Sequence, residues 1–224
     1  MIRVEHLEIW GLKHAIRGMR NPMNSWNKSD SHFEHGECEI GENDLRLMEK
    51  LVRNGSSHRK FLRQIFVSVD IIAPLYWWRE FDTYKVGTTA NSCSTMHKIH
   101  AKEFSIDDFS TEHLIDDTDL VIADGIGETI VNPDGDIVDM NGKDLVELTI
   151  RLLNAYRERF IETGDKKYWW QLIQLLPDSY NQKRTVTMNY ENLHNMCKQR
   201  RNHKLDEWRF FCEWAMSLPY TFIN

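Results

Sequence analysis

The sequence predicts an α+β domain, and three observations predict it. Apolar residues recur at every second position in Ile65, Val67, Val69 and Ile71, the mark of a strand with one buried face. They recur at helical spacing in Leu12, Ala15, Ile16 and Met19, in Leu45, Met48, Leu51 and Val52, and in Leu145, Leu148, Leu152, Tyr156 and Phe160. A hairpin is expected around Pro133-Asp134-Gly135, so strands and helices are mixed irregularly and do not alternate as parallel units do.

A chain of 224 residues is long enough for one domain with a substantial core, and a single domain spanning 1–224 is expected. Hydrophobic residues make up 41%, with 8 Trp, and charged residues 28%, the balance of a packed, water-soluble protein. No apolar stretch approaches the ~20 residues that cross a bilayer, and MIRVEHLEIWG lacks the layout of a signal peptide. Cys38, Cys93, Cys197 and Cys212 show no C-x-x-C spacing, which fits reduced thiols. A cytoplasmic protein with no membrane partner is the expectation. The net charge of -6 opposes general affinity for nucleic acid, which needs a basic surface.

Taken in order, Val4 to Ile9 reads as an opening strand. The helix through Leu12 and Met19 follows and ends at Asn21-Pro22, with Asn24 and Ser25 in the polar turn beyond. The polar, Gly-punctuated run NKSDSHFEHGECEIGEN reads as a loop. Its His32, His35 and Cys38 have ligand-like spacing but offer three of about four ligands that zinc needs, so no metal is assigned. The helix through Leu45 and Val52 closes at Gly55, and a long strand runs from Phe61 to Ala73. Pro74 ends that strand and leads into a short helix carrying Tyr76, Trp77, Trp78 and Arg79. An Arg beside aromatic rings suits a planar ligand bearing phosphate; equally, the two Trp suit a core.

The run KVGTTANSCSTMHKIH reads as a hydroxyl-rich loop whose Gly87 lets backbone approach a ligand. Ser94 lacks the G-x-S-x-G surroundings of a hydrolase nucleophile. The acidic stretch from Ile106 to Asp119 reads as solvated, and Asn132, Asp134 and Asp136 read as turn chemistry, since no glutamate closes a calcium loop. Asp144 and Glu147 are placed to cap a helix that ends at Gly164, and a second helix, DKKYWWQLIQLL, leads to Pro177.

The run from Leu176 to Arg201, LPDSYNQKRTVTMNYENLHNMCKQRR, carries the most information. A strand with Thr185 and Thr187 reaches Asn189, and a helix then opens. Asn192, Asn195 and Gln199 recur on it at intervals of 3 and 4, and Arg200 and Lys204 form a second i,i+4 pair. Stacked amides and a fixed guanidinium suit a ligand with carbonyl and phosphate acceptors; the alternative is a solvated face.

This run resembles the C-terminal signature of the flavin-dependent thymidylate synthases. Leu176-Pro177, Thr187-x-Asn189, Leu193, Asn195 and Arg200 fall in the family's order, with Asn189 12 residues after Pro177 and Arg200 11 after Asn189. Pro219-Tyr220-Thr221-Phe222 resembles the family's closing segment. The central motif matches less: Arg79, Asn91 and Ser94 carry over, whereas Glu80, Phe81, Ser92 and Met96 depart from it. Glu80, Phe81 and Met96 stand where the family has basic residues, which leaves the phosphate to Arg79 with Lys85, His97 or Lys98.

The resemblance implies a central, largely antiparallel sheet flanked by helices, in a homotetramer with shared flavin sites. It implies FAD as cofactor and methylation of dUMP to dTMP, with NADPH and methylene-tetrahydrofolate as co-substrates. Arg200 would polarise the pyrimidine as the catalytic residue. Tyr76, Arg79, Ser92, Ser94 and Arg200 would bind substrate. His58, Arg79, Asn91, Asn189 and Asn195 would bind the flavin. The alternatives are a divergent flavin enzyme with another pyrimidine substrate, or a catalytically silent nucleotide binder on the same fold.

Overall fold

A computed structural model describes residues 2–34, 37–115 and 141–222. The chain divides into two compact units, one made of Met1–Ser92 with Lys183–Asn224 and the other of Cys93–Gln182.

The first unit is built on a four-stranded sheet of order β1-β4-β6-β5, with β1 Arg3–Trp10, β4 Phe66–Pro74, β5 Thr89–Ser92 and β6 Asn181–Asn189. β1 runs antiparallel to β4, and β5 antiparallel to β6. Side-chain pairs Ser68–Thr187 at 3.1 Å and Thr185–Asp70 at 2.6 Å set β4 antiparallel to β6 as well. The alternation read from Ile65 to Ile71 is realised: Val67, Val69, Ile71 and Ala73 are buried on one face. The opposite face is polar, with Lys183 2.8 Å from Asp70 beside the Thr185 bond. The strand begins later than the sequence suggests, because Lys60–Gln64 winds into a 3-10 turn.

Helices α1 Leu12–Arg20, α2 Glu42–Arg53, α3 Leu75–Phe81, α6 Tyr190–Arg200 and α7 Asp206–Ser217 complete this unit. Ala15, Ile16, Leu193, Met196 and Trp208 join the buried strand face in one core. Trp77 and Trp78 are fully buried, and the Trp77 and Trp208 ring centroids lie 4.9 Å apart, so both tryptophans of α3 serve as core. Arg20 and Asp44 form a buried ion pair at 2.6 Å, and Asp44 also accepts from the Ser29 and Ser31 hydroxyls at 2.7 Å. Burial pushes the Asp44 carboxyl up, but those hydroxyls and Arg20 outweigh it and hold the group below its ordinary range.

Two segments read as loops are strands. Within the His32–Glu39 region, β2 His32–Glu34 pairs antiparallel with β3 Glu37–Glu39, Phe33 opposite Cys38. In the hydroxyl-rich run, Thr89–Ser92 is the edge strand β5. β2 and β3 hold one apolar residue each, Phe33 and Cys38, too few to show a period, and β5 is exposed at all its positions. His35 lies outside the described residues, and among those residues no group of three His, Cys, Asp or Glu is placed to hold a metal.

The second unit packs α4 Gly142–Thr163 with α5 Lys166–Leu175 around Ile99, Phe104, Phe109, Ile150, Leu153 and Leu172. The cap of α4 differs from the sequence reading. Asn141 is the N-cap and Asp144 its reciprocal partner, each side chain accepting from the other's backbone N–H at 3.0 Å. Leu145, Leu148 and Leu152 are exposed, and Ile150 and Leu153 face the core instead. The hairpin expected around Pro133-Asp134-Gly135 lies outside the described residues. Among the described residues no helix is long and apolar enough to cross a membrane.

Candidate functional site

The candidate site is assembled in the first unit from α3, the turn after it, and α6. Pro74 caps α3 with extended backbone, and the helix then carries Tyr76, Arg79 and Glu80 away from the buried Trp face. Arg200, at the last turn of α6, donates from Nη1 to Glu80 Oε2 at 2.5 Å and from Nε to the Tyr84 hydroxyl at 2.9 Å. Its guanidinium carbon lies 5.2 Å from the Trp208 ring centroid, a cation over an aromatic face. Tyr84 in turn donates to Gln199 Oε1 at 3.0 Å, and His203 Nε2 lies 3.3 Å from Glu80 Oε2. Glu80, which departs from the motif, is thus the direct partner of the proposed catalytic arginine.

Beside this cluster Phe81, Asp82, Tyr84, Lys85, Thr88 and Ala90 line an open pocket of about 390 Å³. Among the described residues the buried Thr88 hydroxyl has no hydrogen-bond partner. A cation and an unsatisfied hydroxyl together can bind an oxyanion. Arg184, which sequence reasoning passed over, stacks 4.2 Å from the Trp78 ring centroid and holds Asp82 at 2.7 Å.

A second constellation sits at the start of α6. Asn189 caps this helix, its side chain accepting from the Asn192 N–H at 3.0 Å while Asn192 Oδ1 accepts from the Asn189 N–H at 3.2 Å. Asn192 Nδ2 also donates to the Val86 carbonyl at 2.7 Å, which ties the turn after α3 to α6. Gly87, with φ of +75°, comes so close that a Cβ there would lie 2.9 Å from Asn192 Oδ1. The backbone approach read into Gly87 is therefore made to Asn192.

Arg59, also missed by sequence reasoning, reaches the same helix. It donates to Glu191 at 2.9 Å, to His194 Nε2 at 2.9 Å and to Asn195 Oδ1 at 3.1 Å. Arg only donates, so His194 Nε2 accepts and the imidazole keeps its proton on Nδ1. Burial, and then the Arg59 charge, push the His194 pKa down, which fits a neutral ring. The amide face predicted for α6 is thus engaged inside the protein: Asn192 by Val86, Asn195 by Arg59, Gln199 by Tyr84. Lys204 lies beyond the end of the helix and forms no pair with Arg200 along it.

The remaining predicted residues are dispersed. The Tyr76 hydroxyl donates to Glu207 of α7 in a short hydrogen bond. Arg79 is exposed on α3. Asn91 and Ser92 are exposed on β5, opposite Thr185 and Arg184. Ser94 belongs to the second unit, where its hydroxyl accepts from the backbone N–H groups of Met96 and His97 at 3.2 and 2.8 Å and so fixes a turn. His97 lies in that unit too. His58 is exposed at the rim of a larger pocket of about 540 Å³, whose apolar wall includes Met19, Leu51 and Phe61 and whose rim includes Ser25 and Lys60.

No family model matches the chain, and no curated protein matches it in sequence. Solved structures do match it over nearly its whole length. Flavin dependent thymidylate synthase ThyX from Helicobacter pylori, complexed with FAD and dUMP, aligns at 18% identity and a TM-score of 0.62, over 99% of this chain and 96% of its own. A second structure of that enzyme with FAD and dUMP gives 19% and 0.61, over 99% and 94%. The UMP/dUMP methylase PolB from Streptomyces cacaoi, bound with 5-Br UMP, gives 16% and 0.59, over 99% and 92%. An antiparallel sheet flanked by helices, matched end to end in this way, gives the chain the fold of flavin dependent thymidylate synthase ThyX.

Proposed function

We propose that this chain is a flavin-dependent pyrimidine-nucleotide methylase, transferring a one-carbon unit from methylene-tetrahydrofolate to ring C5, with FAD as cofactor and NADPH as reductant. The observation that carries this reading is the end-to-end fold match to proteins that bind FAD and dUMP, or act on UMP and dUMP. The pockets fit the groups required. The larger one offers an apolar wall to a flat heteroaromatic ring, with Ser25, His58 and Lys60 at its rim for the polar groups attached. Reduced flavin supplies the hydride that no side chain provides.

This chain's residues supply binding and charge. Arg79, exposed on α3, bridges the flavin and the nucleotide phosphate, and Lys85 with the unpartnered Thr88 hydroxyl adds a second anion site. Asn91 and Ser92 on the edge strand complete the polar contacts. Asn189 and Asn195 act by holding α6 in place beside the cofactor, through the cap and through Arg59. Tyr76 positions α7 through Glu207. Arg200 contacts the pyrimidine, and the functional assembly is a homotetramer.

The reaction read from the sequence, dUMP to dTMP, is one case of this chemistry. The Glu80 carboxylate on Arg200 favours the second case, a different pyrimidine, because it neutralises the cation that a uracil oxyanion needs. Flavin titration of the purified protein, followed by absorbance, with light scattering on the same sample, tests the reading. A saturable flavin spectrum in an oligomer is expected; a monomer without flavin affinity overturns it.

A further inference from the structure

Two glycines bring α1 against one residue of the 3-10 turn Lys60–Gln64. Gly11, which opens the helix, and Gly18 are seven residues apart, close to two helical turns, so both face that turn. A Cβ at Gly11 would overlap the Gln64 backbone carbonyl. A Cβ at Gly18 would lie 2.7 Å from Gln64 Oε1 and 3.6 Å from Nε2, and the three atoms nearest to it all belong to the Gln64 amide. Gly11 therefore admits the backbone of Gln64, and Gly18 admits its side chain.

Glycine in the body of a helix lowers stability relative to alanine, so the place that Gly18 opens comes at a cost. The amide it admits makes no hydrogen bond: among the described residues the Gln64 side chain has no partner. It is exposed and, with Gly18, lines the cavity of about 540 Å³ beside the apolar Met19, Leu51 and Phe61. Asn21, the other carboxamide of that lining, is already committed through Oδ1 to the Trp26 indole at 2.8 Å. The cavity thus offers one free amide next to apolar surface.

A carboxamide holds an N–H donor beside a C=O acceptor in one plane, and it pairs side by side with a ring edge that carries the same groups in the opposite sense. FAD has such edges on both of its ring systems. The isoalloxazine presents N3–H between O2 and O4, and the adenine presents its N6 amino group beside N1 and N7, an edge that Gln reads in nucleic acids. We propose that Gln64 recognises the ring of the bound dinucleotide by this pairing, with Gly18 giving the amide its place. This rests on the flavin reading above and names the side chain that reads the ring.

Fluorescence titration of purified, flavin-free protein with FAD and two analogues, one methylated at flavin N3 and one dimethylated at adenine N6, tests the pairing. Thermal unfolding of each variant is measured alongside. Gln64→Leu should weaken FAD about tenfold with the unfolding midpoint unchanged, the scale of a lost amide pairing. One analogue should bind wild type about tenfold more weakly than FAD yet bind Gln64→Leu as well as FAD does, and that analogue identifies the edge. Gly18→Ala should raise the unfolding midpoint while weakening FAD several-fold, because the new methyl displaces the amide and nothing else. FAD affinity unchanged in either variant, or analogue penalties that are the same in wild type and Gln64→Leu, overturns the pairing and leaves the flavin reading standing. Wild type without FAD affinity overturns both.

Discussion

The Arg59 guanidinium spans to Asn195 Oδ1 at 3.1 Å, joining residues 136 apart in sequence, and on the way binds Glu191 and His194. It locks the first turns of α6 against the segment that carries His58. The side chains of Arg59 and Glu191 are only 12% and 9% exposed, so this is close to a buried pair.

Arg59→Met should therefore destabilise the protein by about 3 kcal/mol, because Glu191 is left charged and nearly buried without its partner. Urea unfolding followed by tryptophan fluorescence measures it, and a loss below about 0.5 kcal/mol would place the pair among inconsequential surface contacts. Flavin affinity should weaken as well, since α6 loses its anchor.

Asn189→Ala removes the helix cap and should cost about 1 kcal/mol. Asn189→Asp keeps an acceptor for the Asn192 N–H and should recover most of that loss. If both variants lose flavin while thermal stability is unchanged, Asn189 contacts the cofactor directly and is not acting through the cap.

Stability should fall with acid in two steps. His194 has a folded pKa below its unfolded value near 6.5, so the unfolded chain binds the proton more readily and stability declines as pH drops below about that point. Asp44, also depressed, contributes stability that is complete above its unfolded pKa of about 3.9 and is lost as pH falls through the lower folded value. Unfolding midpoints measured from pH 8 to 3 should show both steps. His194→Gln should remove the upper step and leave the lower one.

Arg200→Lys should leave FAD bound and reduce nucleotide turnover by roughly a hundredfold, the effect of losing one preorganised donor. Lysine also cannot hold Glu80 and Tyr84 together in fork geometry. Single-turnover assays with flavin-loaded protein and each pyrimidine nucleotide measure this, and unchanged turnover would make Arg200 a structural residue.

Much of the fold was legible because it is local chemistry. The period of two at Val67, Val69 and Ile71, the helical runs from Leu12 and Leu45, the Pro74 break and the opening of a helix after Asn189 are written within a few residues of where they act. The strands β2, β3 and β5 were not legible. β2 and β3 are three residues each, with one apolar position apiece in Phe33 and Cys38, too short to show a period, and β5 is exposed throughout and pairs with a strand about 95 residues away.

The candidate site divides along the same line. The amides of α6, spaced 3 and 4 apart on one helix, and the arginine that follows them were legible in the sequence. What those groups bind was decided only by tertiary structure. Asn192 meets Val86 from 106 positions away, Gln199 meets Tyr84 from 115, and Arg200 meets Glu80 from 120. Helical periodicity says which side chains share a face. It carries no information about which element packs against that face, because that choice belongs to the core in which Trp77 and Trp78 of α3, Leu193 and Met196 of α6 and Trp208 of α7 are buried together.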